Sequence, residues 1–159
     1  MDLQGFGWQL MEGLWMTVRV ASASVVVGLL LGMLGARAKL SSSTSARKIA
    51  NAYTTVVRGV PELILLLILY FGGTMLVQRL VQAFGTDKYV EIDAFWAGVL
   101  TLGFVFGAYS TEVFRGAILA IPVGQVEAAR AVGMNRWLVF RRIMLPQIWR
   151  FALPGIGNL

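Results

Sequence analysis

Three apolar segments, each long enough to cross a membrane, alternate with polar segments along the chain. They run from about Leu14 to Ala36, from Thr55 to Val77 and from Ala94 to Ala117. Each contains 23 or 24 residues, and a helix of that length, rising about 1.5 Å per residue, covers the roughly 30 Å hydrocarbon core of a bilayer. The pattern therefore predicts an all-α fold, a polytopic bundle of transmembrane helices.

A fourth apolar segment begins at Phe151 and continues to Leu159. Its nine residues are too few to cross a bilayer, so we interpret it as the start of a fourth span. We therefore expect three complete spans and part of another. The 159 residues are predicted to form a single transmembrane domain, 1–159, that belongs to a longer, C-terminally truncated protein.

The charged residues flank the apolar segments unevenly, and this asymmetry predicts the topology. Two acids and no base precede the first span, whereas residues 37–58 carry five basic residues and no acid. Because cytoplasmic loops are enriched in Lys and Arg, the N-terminus is predicted to lie outside and residues 37–58 in the cytoplasm. Residues 79–93, with charges of both signs, are then external. Residues 115–150, with six arginines against the single acid Glu127, are cytoplasmic.

The composition agrees with a membrane protein and excludes several kinds of chemistry. Hydrophobic residues make up 57% of the chain, and the mean hydropathy is +0.71. The net charge of +6 comes from basic segments beside apolar spans, so we interpret it as topology and expect no nucleic-acid partner. With no Cys and no His, we predict no disulfide, metal site or catalytic residue. The expected surroundings are a lipid membrane.

The cytoplasmic segment 122–146 has the pattern of two helices joined at a glycine. Pro122 ends the preceding helix, and the good helix formers over 125–132 predict a helix of about two turns. Gly133 follows where a left-handed residue ends many helices, and Asn135 can cap a second helix. Isolated helices this short are marginal in water, so we expect the first one to bind a partner.

The same segment resembles a known family motif. Its fixed positions are Glu127, Ala128, Ala129, Gly133, Ile143, Leu145 and Pro146. In type and spacing they resemble the EAA loop of the membrane subunits of binding-protein-dependent ABC importers. The resemblance implies that the loop's short helix is a coupling helix, held in a cleft of a cytoplasmic ATPase subunit. The implied ATPase-coupling residues are Glu127, Ala128, Ala129, Gly133, Leu145 and Pro146.

The resemblance implies a function as well. It points to a multi-pass permease subunit of the bacterial inner membrane that translocates polar amino acids. Basic amino acids such as arginine, ornithine, lysine and histidine are the expected substrates, because of the acid Glu62. The implied partners are ABC ATPase subunits, a second permease subunit of the same or a similar kind, and an extracytoplasmic amino-acid-binding protein. The chain has no Gly-rich phosphate loop, so ATP and Mg are expected on the ATPase and no cofactor on this subunit, which is not itself an enzyme.

The clue to substrate charge is an acid at the start of the second span. Arg58, Gly59, Pro61 and Glu62 resemble the Arg-Gly-x-Pro segment of polar amino-acid importers, and the resemblance implies an acid after the proline in the histidine, lysine, arginine and ornithine type. A carboxylate inside a membrane is costly unless it faces a cavity or a partner. Glu62, with Pro61 beside it, is therefore a candidate for the substrate pathway. The alternative is an ion pair with Arg58 one turn earlier.

Two further sets of residues are candidates. Glu112 and Arg115 are three residues apart on one helical face, which favours a structural ion pair over a substrate contact. Pro154 is predicted to interrupt the last apolar segment. Such an interruption would expose helix ends to a ligand and bring Gly157 and Asn158 to the substrate pathway, or would only kink the helix for packing.

Two other functions explain the spans without an ATPase. An ion-coupled secondary transporter would need coupling carboxylates near the middle of the membrane and usually has inverted repeats, which we do not find in this sequence. A non-transporting membrane scaffold would leave the EAA pattern and the acid at Glu62 unexplained.

Overall fold

The computed structural model describes residues 6–83 and 93–159, all of which are helical or lie in turns between helices. The helices are α1 (Gly7–Lys39), α2 (Thr44–Gly59), α3 (Glu62–Leu67), α4 (Gly73–Ala83), α5 (Ala94–Leu119), α6 (Val123–Ala131), α7 (Arg136–Val139) and α8 (Leu145–Gly157). Two π-helical turns, Ile68–Gly72 and Phe140–Met144, connect α3 to α4 and α7 to α8 without a break. The predicted all-α fold is confirmed.

Three continuous helical stretches are long and apolar enough to cross a membrane. They are Gly7–Lys39, Glu62–Ala83 and Ala94–Leu119. The predicted spans one and three are therefore confirmed, although α1 extends beyond the predicted segment at both ends. Leucines on the outer faces, such as Leu30, Leu63 and Leu76, are more than half exposed, which suits contact with lipid chains. Most of the predicted external loop, with Asp87, and the N-terminal Asp2 lie outside the described residues.

The second span begins later than we predicted. We placed its start at Thr55, whereas residues 44–59 form the separate amphipathic helix α2 and the span starts at Glu62. The cause is Pro61, which lacks a backbone donor and forces the residue before it into an extended conformation. Val60 has φ −104° and ψ 139°, so α2 ends at Gly59. Pro61 therefore delays the start of the second span to Glu62.

The helix α5 lies at the centre of the fold and packs against α1, α2, α3 and α8. Its contact with α1 depends on residues without bulky side chains, because a Cβ at Gly32 would lie 2.5 Å from Ser110 Cβ. Small residues allow membrane helices to approach closely, since packing between them is driven by van der Waals contact. The glycines of α1 therefore form the surface on which α5 packs closely.

A tyrosine fixes α2 across the α1–α5 pair. The hydroxyl of Tyr53 donates a hydrogen bond to the carbonyl oxygen of Phe104, and the two rings lie 4.8 Å apart. Burial raises the pKa of Tyr53 to about 12, so the hydroxyl keeps its proton and remains a donor at physiological pH. Below this contact, Val57 of α2 joins a buried cluster with Leu65 of α3 and Val105 of α5.

The last helix is not interrupted where we predicted. Pro154 lies inside α8, which continues to Gly157, so the expected broken helix is absent from the described part of the chain. Proline is tolerated in membrane helices where packing holds the backbone in place. Here Ile148 and Ala152 of α8 are buried against Phe114 of α5, and this face stabilises the helix through the proline.

Candidate functional site

The segment 122–146 forms two helices that meet at a glycine corner, as its sequence predicts. Gly133 has φ +84°, a left-handed conformation that favours glycine. Its amide donates to Arg130 O at 2.9 Å, and the amide of Met134 donates to Ala129 O at 3.1 Å. These two bonds form a Schellman motif, which satisfies the last carbonyls of α6 and turns the chain sharply.

The second helix of the segment is capped by Asn135. Its side-chain Oδ1 accepts a hydrogen bond from the amide of Leu138 at 2.9 Å, so the expected cap is present. The regular α7 lasts only until Val139, and a π-helical turn then carries the chain into α8. The glycine corner and this cap together fix the direction in which α6 projects from the membrane domain.

The predicted coupling residues divide into two groups by their surroundings. Glu127, Ala128 and Gly133 are exposed, whereas Ala129 is buried. Ala129 and Pro146 line a shallow cleft of about 490 Å³ between α6 and α8. Leu145 lies elsewhere, in an apolar cleft between α1, α5 and the second π-helical turn. Glu127 and Gly133 are therefore available to a partner, whereas Ala128 and Ala129 line the cleft that α6 forms with the second π-helical turn and the start of α8.

A hydrogen bond that the sequence does not predict ties α6 to α8. Gln147 Nε2 donates to Gln125 Oε1 at 2.6 Å and to the carbonyl oxygen of Ile143 at 2.9 Å. The two glutamines are 22 residues apart and belong to different helices, so no local pattern links them. This bond and the cleft lining connect α6 directly to the start of α8.

Glu112 accepts hydrogen bonds from two cations. Arg115 Nε lies 2.9 Å from Glu112 Oε2, so the predicted pair is present, and Lys39 Nζ donates to Glu112 Oε1. In the sequence, Lys39 is one of the five basic residues of 37–58 that predict the topology. Its position in the last turn of α1 gives no hint of a partner on α5. The sequence gives one indication that Glu112 has a cationic partner, because Glu112 is the single acidic residue of the third predicted span.

Beside this cluster lies a polar cavity of about 440 Å³ between α1, α2 and α5. The guanidinium carbon of Arg58 is 5.6 Å from the centre of the Tyr109 ring, and both side chains line the cavity. The full lining consists of Lys39, Thr54, Thr55, Arg58, Gly59, Tyr109 and Glu112. No local sequence pattern marks this site, because its residues come from three separate segments of the chain.

The tentative substrate-pathway residues do not converge on one place. Glu62 is exposed in the first turn of α3, and in the described part of the chain its carboxylate forms no ion pair with Arg58. Pro61 is exposed at the break between α2 and α3. Gly157 and Asn158 lie at the end of α8, and neither lines any of the cavities described above.

Comparison with known proteins identifies the family. A family profile described as binding-protein-dependent transport system inner membrane component matches residues 25–159. The chain belongs to this family. It is 45% identical over 156 residues to the histidine/lysine/arginine/ornithine transport system permease protein HisQ of Escherichia coli (strain K12), covering 98% of this chain and 68% of that protein.

Other relatives and solved structures agree. The nopaline transport system permease protein NocQ of Agrobacterium fabrum is 48% identical, with 98% of this chain and 66% of that protein covered. The chain thus spans about two thirds of the length of these curated relatives. A crystal structure of an amino acid ABC transporter with histidines matches with a TM-score of 0.69 and 36% identity, over 93% of this chain and 64% of that one. The methionine ABC transporter MetNI shares the fold, with a TM-score of 0.71 and 21% sequence identity. The match covers 99% of this chain and 70% of that chain.

Proposed function

We propose that the protein is the membrane subunit of an ATP-driven importer of polar, basic amino acids in the bacterial inner membrane. The observation that carries this proposal is the exposed helix α6, ended by the Schellman motif at Gly133. It presents Glu127 to a partner while Ala129 holds it on the membrane domain. A short helix of this kind suits insertion into a groove of another protein.

The partners follow from the family. An importer of this type needs two ATPase subunits, a second permease subunit and a binding protein that delivers the substrate. ATP and Mg bind to the ATPase, and closure of the ATPases moves α6. The contacts at Gln125–Gln147 and at Ala129 pass this movement to α8, and α8 packs against the central helix α5. Access to the substrate thereby changes from one side of the membrane to the other.

The names of the relatives support a basic substrate. HisQ is named for histidine, lysine, arginine and ornithine, and a permease of Haemophilus influenzae that is 40% identical, ArtQ, is named for arginine. Lysine, arginine and ornithine carry a positive side chain at neutral pH. We propose that Glu62, an exposed acid at the start of the second span, binds this charge.

The experiment that tests the function uses the full-length permease expressed with its ATPase and binding protein. We expect the ATPase to co-purify with the permease, and arginine uptake into proteoliposomes to require ATP. Glu127→Lys should abolish both, because the reversed charge lies in the docking surface. Uptake that follows an ion gradient without ATP would favour a secondary transporter. A protein that neither binds an ATPase nor transports would favour a scaffold.

A further inference from the structure

Arg58 is a cation without an acidic partner beside a polar cavity. Among the described residues, the ion pairs within 4.0 Å join Glu112 to Lys39 and to Arg115, and Arg58 takes part in neither. Its guanidinium lies over the ring of Tyr109, a contact that holds the group in place but leaves its hydrogen-bond donors available. Arg58 is exposed in the last turn of α2, so its guanidinium is accessible to a ligand.

The charges around the cavity favour an anion. Glu112 is the acidic residue in the lining of the cavity. Both of its carboxylate oxygens already accept hydrogen bonds, Oε1 from Lys39 and Oε2 from Arg115. The hydroxyl of Thr54 is also engaged, since it donates to backbone oxygens of its own helix. Among the groups that remain for a ligand, the guanidinium of Arg58 is the one whose planar fork matches a carboxylate with two parallel hydrogen bonds.

The size of the cavity suits a small molecule of this kind. The site is open to its surroundings, like the shallow cleft between α6 and α8, and its volume of about 440 Å³ is large enough for an amino acid. A transported amino acid always carries an α-carboxylate, whatever its side chain. Arg58 lies in the last turn of α2, before Pro61, and Glu62 begins α3 after it. Glu62 does not line the cavity, so the basic side chain of a bound amino acid would extend out of the cavity to reach this carboxylate.

We propose that Arg58 binds the α-carboxylate of the transported amino acid in the cavity between α1, α2 and α5, with Tyr109 fixing the guanidinium. This inference rests on the proposed function and adds the group that recognises the part common to all substrates. Glu62 then distinguishes substrates by side-chain charge, whereas Arg58 distinguishes amino acids from amines and amides.

The test compares two ligands that differ only at the carboxylate. Binding of L-arginine and of L-argininamide is measured on the purified complex of the full-length permease with its ATPase, without the binding protein. The wild type should bind L-arginine about tenfold or more tightly than the amide, the loss expected for one charge-assisted bond. Arg58→Gln should weaken L-arginine binding by about the same factor and leave binding of the amide nearly unchanged, so that the preference disappears.

Matched variants separate recognition from structure. Arg47→Gln removes a cation from the same helix outside the cavity lining and should keep the full preference. Arg58→Lys keeps the positive charge but loses the planar guanidinium, so we expect a preference for L-arginine between those of wild type and Arg58→Gln. This variant replaces Arg58→Gln in the test if Arg58→Gln does not assemble with the ATPase. Tyr109→Leu should reduce the preference in part.

The outcomes distinguish this inference from the proposed function. If the wild-type complex assembles and binds L-arginine but shows no preference over the amide, or if Arg58→Gln or Arg58→Lys keeps the full wild-type preference, the carboxylate site is wrong and the importer function stands. An equal loss for both ligands in Arg58→Gln also contradicts the site, because it indicates a structural role or an anion such as a lipid phosphate. A wild type that neither binds L-arginine nor assembles with an ATPase contradicts the proposed function itself.

Discussion

Lys39, in the last turn of α1, donates a hydrogen bond to Glu112 of α5, 73 residues further along the chain. The Lys39 and Glu112 side chains are 10% and 20% exposed, so water screens this pair only weakly. Arg115 binds the other oxygen of the same carboxylate. The cluster therefore fixes the end of α1 against the helix that leads into the coupling segment.

Removing the charge of Glu112 should destabilise the protein. Glu112→Gln leaves two partly buried cations without their shared acid, so we expect the free energy of unfolding to fall by about 1–3 kcal/mol. Unfolding of the purified permease by heat or denaturant measures the change. Lys48→Gln, an exposed position on α2 without an ion pair in the described part of the chain, is the control and should have little effect. Equal stability of Glu112→Gln and wild type would contradict a structural role for the cluster.

The contact between α1 and α5 should not tolerate a larger side chain. Gly32→Leu forces a side chain into the space of Ser110, and overpacking of this kind costs typically about 1–3 kcal/mol. We expect less folded protein in the membrane and a lower unfolding temperature. Gly13→Leu on the same helix meets nothing within 4 Å and should behave as wild type. Similar yields and unfolding temperatures for both variants would show that α1 and α5 can move apart without a loss of stability.

The glycine corner should be required for ATPase binding and not for membrane insertion. Gly133→Leu places a side chain in a left-handed conformation at a cost of about 1–2 kcal/mol, which misdirects α6. Co-purification of the ATPase and ATP-dependent uptake should both fall, while the amount of permease in the membrane stays the same. Gly124→Ala, in α6 but with open space around it, should retain both activities. Normal docking of Gly133→Leu would remove the basis for a coupling role.

Glu62 should decide the charge of the substrate. Glu62→Gln keeps the size of the side chain but loses a charge-assisted bond worth about 1.5–3 kcal/mol, so arginine and ornithine uptake should fall about tenfold or more. Uptake of a neutral amino acid delivered by the binding protein should fall less. Transport is measured per folded transporter in wild type, in each single variant, Glu62→Gln and Arg58→Gln, and in the double variant. Equal losses for charged and neutral substrates, relieved when both changes are combined, would instead indicate a clamp between the two residues.

The predicted orientation can be tested with single cysteines, because the chain contains none of its own. Ser43→Cys and Glu127→Cys should be protected from a membrane-impermeant thiol reagent in intact cells and react after the cells are opened. A cysteine in the predicted external loop, Asp87→Cys, should react in intact cells. Labelling of Ser43→Cys before the cells are opened would reverse the topology.

Local features of the sequence predicted much of this fold. The three spans follow from length and apolarity, which the bilayer imposes on each segment independently. The corner at Gly133 and the cap at Asn135 depend on backbone geometry within a few residues, so they too could be predicted. The pair Glu112–Arg115 lies within one turn of one helix, and the spacing alone indicated it.

Other features were decided by packing between distant segments. The helix α8 continues through Pro154 because its buried face packs on α5, an effect that local propensity does not contain. Lys39 meets Glu112, and Arg58 lies over Tyr109, because glycines let α1 approach α5 closely while Tyr53 holds α2 across them. The sequence by itself determined that three apolar segments are long enough to span the membrane and that the coupling segment turns at Gly133. Only the tertiary structure decided which charges share a cavity, because that depends on contacts between residues about 50 to 70 positions apart.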